Sequence, residues 1–256
     1  MAPALHRALD RRERQRLVLV HGFTQTLRSW DAITAPLAGM SEVVRVDLPG
    51  HGGSSQVDLD FVATAAAIGD AGGTATYVGY SMGGRLSLRL AVDRPDRVRA
   101  LVLIGASPGL ADDGERAGRR ASDEALAAEI EGSSTASFLQ RWLAQPMFSG
   151  LRPEPADLEA RLANRPAGLA TALRRLGTGA QEPLWDRLGE LSMPVLAVTG
   201  REDAKFATVA EEMVGAIGAN AEAVTLAGAG HAAHLERPRS FCQLLAAFLV
   251  SHSLTS

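Results

Sequence analysis

The chain has 256 residues, 46% hydrophobic and 21% charged, which is enough to bury one sizeable core with an appended piece. A net charge of −3 gives no electrostatic footprint for nucleic acid or for an anionic membrane surface. Cys242 is the only cysteine, so an intrachain disulfide is excluded, and no apolar run reaches the roughly 18 residues of a membrane span.

The N-terminal stretch 1–16 is basic but is followed by no long apolar segment with a cleavage site, which gives a cytoplasmic expectation. LVLV (17–20) then opens a series of short apolar runs that read as buried strands. A helix over 29–39 leads to VVRV (43–46), and a helix over 60–71 leads to TYVGY (76–80). A third helix, 83–93, is closed by Pro95 and precedes LVLIG (101–105). The pattern then changes for nearly ninety residues. SDEALAAEIEG, SFLQRWLAQ, ADLEARLAN and AGLATALRRL are polar and arginine-rich, with helical periodicity and no strand signal. Alternation resumes with VLAVTG (195–200), a helix over 207–218, AEAVTLA (221–227), and a helix over 239–250 opened by Pro238. Strands alternating with helices predict an α/β fold, a mostly parallel sheet with helices on both faces. The expected core is 1–106 and 181–256, with residues 107–180 as a helical lid over the carboxyl ends of the strands.

Three chemical groups fall at those ends. YVGYSMGGR (77–85) places Ser81 in G-x-S-x-G between a strand and a helix, where a nucleophile needs a strained turn and slender neighbours, here Gly79 and Gly83. Asp203 follows VLAVTG and His231 follows AEAVTLA, the Ser–Asp–His chain order of a base held by a carboxylate. Each alone also reads as an ordinary loop residue. His51 and His234 are alternative bases, His234 as an exposed residue one turn past His231, and Glu202 is an alternative acid. His21 reads as a brace for its loop, while the backbone N–H groups of Phe23 and Met82 are candidates for an oxyanion hole. Arg85 lies four residues past Ser81, on the same side of the new helix, where a cation opposes the helix dipole. It reads either as the partner of an anion or as a stem snorkelling to solvent. Arg119 and Arg161 read as further anion partners or as solvated helix faces, with Arg120 and Arg165 as neighbouring alternatives. The spacing of Cys, His and acidic residues carries no metal signature, and no cofactor is expected.

These residues resemble the α/β-hydrolase superfamily over the whole chain. One branch is similar in more detail, the 2-succinyl-6-hydroxy-2,4-cyclohexadiene-1-carboxylate (SHCHC) synthases of menaquinone biosynthesis. The matching pieces are HGF (21–23), DLPGHGGSS (47–55), GYSMGGR (79–85), SPGL (107–110) with ERAGRRASD, FLQRWLAQPMF (138–148), GTGAQEPLW (177–185), GREDAKF (200–206) and GHAAHLERP (230–238). The resemblance implies a lyase that removes a ring proton and expels pyruvate from a polycarboxylate, with the triad as a base relay. It implies that Arg85, Arg119 and Arg161 pair with substrate carboxylates and that Tyr80 and Trp142 lie near the substrate. Trp142 also reads as core packing, and Gln181 and Trp185 read either as lid-docking residues or as substrate contacts. The alternatives are a serine hydrolase of an ester or C–C bond, and a non-catalytic binding protein on the same fold.

Overall fold

The computed structural model describes residues 15–37 and 41–252. Residues 1–14 of the N-terminal stretch and the expected end of the first helix, 38–39, lie outside the described residues.

Six strands form one sheet: β1 (Gln15–Val20), β2 (Ser41–Val46), β3 (Ala75–Tyr80), β4 (Val98–Ile104), β5 (Val195–Gly200) and β6 (Ala221–Leu226). Their order is β2-β1-β3-β4-β5-β6, and every ladder is parallel. The helices of the core are α1 (Asp31–Leu37), α2 (Phe61–Gly72) and α3 (Met82–Asp93). Between β4 and β5 run α4 (Asp113–Glu131), α5 (Thr135–Leu143), α6 (Pro155–Leu162) and α7 (Pro166–Leu176). The chain closes with α8 (Ala204–Ile217), α9 (Ala233–Glu236) and α10 (Pro238–Ser251).

Strand side chains alternate between two cores, as the period of two requires. Val18, Val20, Tyr77, Leu101, Leu103 and Ala197 pack with α2, α3 and α8 on one face. Leu17, Leu19, Val78, Val102, Ile104 and Val198 pack with Ile33, Phe241 and Leu245 of α1 and α10 on the other. The central strands are buried on both sides, as continuous apolar runs imply. The expectation of burial fails at β6, most of whose residues are exposed or half-buried, and in part at β2. Among the described residues both are edge strands with a single ladder neighbour.

The 107–180 stretch has its own small core of Ala127, Ile130, Phe138, Leu169, Ala170 and Leu173. Arg174 on α7 forks onto Glu124 and Glu131 of α4, fastening those helices side by side. The ends of the insertion meet: Leu184 N donates to Pro108 O at 2.8 Å and Trp185 Nε1 to Gly109 O at 2.9 Å. Local signals fix most helix starts. Asp60, Asp112 and Ser134 accept from the backbone N–H three residues on, and Pro238 occupies the first turn of α10. The eighth helix begins at Ala204, three residues earlier than the apolar periodicity indicates, because the Asp203 side chain caps it.

Candidate active site

The chain runs from β1 outward to β2, then returns to place β3 on the other side of β1. A parallel sheet leaves a crevice at such a reversal, beyond the carboxyl ends of the strands. The loop after β1 and the turn after β3 meet there.

Ser81 occupies that turn with φ +50° and ψ −108°, and its N–H donates to Ile104 O at 2.8 Å. Only Thr24 shares a positive φ among the described non-glycine residues. Holding a serine there costs about 1–3 kcal/mol, which the surrounding packing must outweigh. Close approach explains the flanking glycines. A Cβ on Gly83 would lie 2.3 Å from Val20 O, and one on Gly79 would lie 2.5 Å from Gly83 O.

Asp203 leaves β5 as the cap of α8, and Asp203 Oδ2 lies 2.6 Å from His231 Nδ1. His231 Nε2 lies 3.3 Å from Ser81 Oγ. With Nδ1 donating to the carboxylate, Nε2 presents its lone pair to the serine hydroxyl. Gly105, at φ +54°, leaves room for the imidazole, since a Cβ there would sit 2.9 Å from His231 Cε1. The Glu236 carboxylate grips the loop on both sides of His231, accepting from Gly230 N at 2.8 Å and Ala232 N at 3.2 Å. Sequence reading missed Glu236; its signal was a carboxylate five residues past a histidine in a glycine loop. The amides of Phe23 and Met82 donate to no acceptor among the described residues, and both residues line the same cavity as Ser81.

The alternatives are otherwise engaged. His21 Nε2 accepts from Leu48 N at 3.0 Å and its Nδ1 donates to Gly22 O at 2.8 Å. His51 Nε2 accepts from Thr24 N at 3.2 Å and its Nδ1 donates to Pro49 O at 2.9 Å. Both rings tie the loops after β1 and β2 together as neutral imidazoles, and burial depresses both, His51 to about 4. His234 is not exposed, as the sequence suggested. It is fully buried against Trp30, Tyr80 and Phe241, because the single turn of α9 rolls it under the sheet edge. Glu202 is exposed and makes no hydrogen bond to His231.

A cavity of about 1020 Å³ opens above Ser81, and Tyr80, Arg85, Arg119, Trp142 and Arg161 all line it. Arg85 is 7% exposed, so it does not snorkel. It donates to Gln181 Oε1 at 3.0 Å and to Leu176 O at 2.8 Å, and neither acceptor carries charge. Burial, then repulsion by Arg119, lowers its pKa to about 9, with Asp123 opposing. Arg161 is 2% exposed; its Nε donates to Asp157 Oδ2 at 2.8 Å, while one terminal nitrogen has no partner among the described residues. Arg119 is half-exposed, with Nε on Asp123 Oδ1 at 2.7 Å. Arg120 turns away to Gly179 O, and Arg165 is exposed at the start of α7. Trp142 both lines the cavity and packs, lying 5.3 Å from Phe23 and 5.8 Å from Phe148 between ring centroids. No group of three His, Cys, Asp or Glu among the described residues is disposed to hold a metal.

Residues 17–244 match the alpha/beta hydrolase family. The chain belongs to that family. Within it, a Bacillus subtilis protein provisionally named SHCHC synthase is 33% identical, the alignment covering 92% of this chain and 90% of that protein. The SHCHC synthase of Salmonella agona is 31% identical over 91% of this chain and 93% of its own. Among solved structures, that of MenH from S. aureus superposes with a TM-score of 0.85 at 29% identity, covering 93% of this chain and 94% of that one. A thermophilic esterase from Thermogutta terrifontis, at 24% identity and a TM-score of 0.74, shares the hydrolase fold. No described helix of this family member is long and apolar enough to cross a membrane.

Proposed function

We propose that the chain is a carbon–oxygen lyase that eliminates pyruvate from 2-succinyl-5-enolpyruvyl-6-hydroxy-3-cyclohexene-1-carboxylate to give SHCHC. The relatives' names supply the reaction. The observation in this chain that carries it is Arg85, a buried guanidinium one turn from Ser81 whose two acceptors are neutral. A buried charge without a counter-charge is costly, and an anionic ligand would relieve that cost. The unpartnered nitrogen of Arg161 adds a second donor, and Arg119 a third cation at the rim. Guanidinium forks suit carboxylates, and the substrate carries three. Tyr80 and Trp142 supply apolar walls beside the ring.

The chemistry follows from where the double bonds move. His231, oriented by Asp203, takes the Ser81 hydroxyl proton, and the serine oxygen takes the ring proton alpha to the succinyl ketone. Negative charge develops on the ketone oxygen, where the amides of Phe23 and Met82 receive it. The electron pair then passes through the ring double bond, the bond to the enolpyruvyl oxygen breaks, and the departing enolate gains a proton to become pyruvate. The ring is left as the 2,4-diene. No acyl-enzyme, metal or cofactor takes part. Helices α4–α7 act as a lid, and the compartment under this reading is the cytoplasm.

The same serine, histidine and pair of free amides would also suit acyl transfer to water, the hydrolase reading. Pyruvate release from the enolpyruvyl substrate, run beside hydrolysis of p-nitrophenyl acetate, separates the two. Fast pyruvate release with poor ester cleavage is expected; ester turnover without pyruvate would discard the lyase.

A further inference from the structure

The three cavity guanidiniums are held in two different ways. Arg119 and Arg161 each give Nε to an aspartate four residues away on the same helix. Those aspartates are anchored in turn, Asp123 by Gly179 N at 3.2 Å and Asp157 by Ser29 Oγ at 2.6 Å. Each pair is close to neutral before any ligand arrives. Arg85 is held instead by an amide and a backbone carbonyl. Since guanidinium is donor-only, Gln181 must turn Oε1 toward it, and that leaves Nε2 facing the other way. There Nε2 is buried with no acceptor among the described residues, next to Gly109 and Pro183. Gln181 itself is 0% exposed and does not line the cavity. A buried amide N–H without an acceptor is destabilising. Glutamate would remove the orphan donor and pair with Arg85, whereas leucine would remove it but take the acceptor from Arg85 Nη1.

We propose that Gln181 is a positioning residue that sets the anion specificity of the cavity: its neutral amide fixes Arg85 without cancelling its charge, so Arg85, alone of the three guanidiniums, is left without a carboxylate partner and keeps its positive charge for a ligand carboxylate. The proposal rests on the polyanion reading of the site and deepens it. Specificity then depends on a side chain that never touches the ligand, which belongs to the segment after α7 and reaches across to α3.

The test compares wild type with Gln181→Glu and Gln181→Leu. Calorimetric titration with the keto-dicarboxylate 2-(3-carboxypropanoyl)benzoate reads affinity without requiring turnover, and thermal melts read the fold. Expected is a melting temperature at or above wild type for Gln181→Glu and a lower one for Gln181→Leu, in which Arg85 loses an acceptor. Affinity should fall about tenfold or more in Gln181→Glu, because the new carboxylate occupies Arg85. Gln181→Leu leaves Arg85 charged but loosely held, so its affinity should fall less. Hydrolysis of p-nitrophenyl acetate, which needs no arginine, should be unchanged in both. Wild-type affinity in Gln181→Glu would overturn the proposal while leaving the lyase reading in place. A uniform loss on the dicarboxylate and the neutral ester, with lowered melting temperatures, would mark Gln181 as merely structural and also overturn it. No binding by wild type would overturn the polyanion reading and this proposal together.

Discussion

Asp157 and Arg161 form an ion pair in which both side chains are buried, 6% and 2% exposed, with Nε and Oδ2 2.8 Å apart. Asp157 also receives the Ser29 hydroxyl at 2.6 Å, which joins α6 to the turn after β1. The pair therefore holds the insertion against the sheet and aims Arg161 in one act. Asp157→Ala leaves a guanidinium buried without a counter-charge and should lower stability by about 3–5 kcal/mol. Ser29→Ala removes one neutral donor and should cost about 1 kcal/mol. Urea unfolding of the two variants checks the order; equal, small losses would show the pair to be energetically idle.

Ser81 sits at a backbone angle that glycine tolerates and other residues do not. Ser81→Gly should raise stability by about 1 kcal/mol while abolishing turnover, and Ser81→Ala should abolish turnover with stability near wild type. Pyruvate-release rates should drop about a thousandfold or more in both. A variant that melts lower than wild type, or that turns over at wild-type rate, would contradict the strained-nucleophile account.

Replacing Arg85 by methionine keeps much of its stem and removes a buried charge with neutral partners. Stability should stay level or rise by about 1 kcal/mol or more. The KM for the polycarboxylate should rise far more than that for a neutral ester. Parallel losses on the two substrates would separate Arg85 from carboxylate recognition.

Three imidazoles are buried and neutral. Burial is the chief cause of lowered pKa in each, to about 4 at His51, to about 3 at His234, and well below 6.5 at His21. In the unfolded chain each titrates near 6.5, so between that value and the folded one only the unfolded state binds the proton. Their contribution is fully present above about pH 6.5 and is lost as pH falls, at up to about 1.4 kcal/mol per pH unit for each. Denaturant midpoints taken from pH 7 to pH 4 should fall steeply. His234, whose two ring nitrogens have no partner among the described residues, offers the cleanest check. His234→Phe should flatten the slope, and an unchanged slope would remove His234 from the account.

Strand ends were the most legible part of the site. Ser81, Asp203 and His231 each follow an apolar run that could only be a central or flanking strand, so parallel topology alone brings them to one edge. Less legible were the carboxylates at one remove. Asp123 and Asp157 stand four residues from Arg119 and Arg161, a spacing that solvated helix faces share, so sequence could not tell a buried pair from an exposed one. The same ambiguity hid Glu236 and misplaced His234, because a helix of one turn has too little periodicity to show which side faces inward. The exposure of β6 was hidden for a different reason: an edge strand is defined by the absence of a neighbour, which its own residues do not record.

The insertion is pinched at its base, where Leu184 N donates to Pro108 O. The sheet thus meets the intervening helices as a loop whose mouth is already closed. Lengthening such a loop costs little, about 0.6 kcal/mol for each doubling. Extra residues at exposed turns between these helices would therefore be tolerated, whereas Asp157 on Ser29 and Leu176 on Arg85 tie the helices themselves to the core. The length of the insertion is free to vary while its anchor points are not, so a graft made between Pro108 and Leu184 must bring Asp157, Leu176 and Gln181 with it.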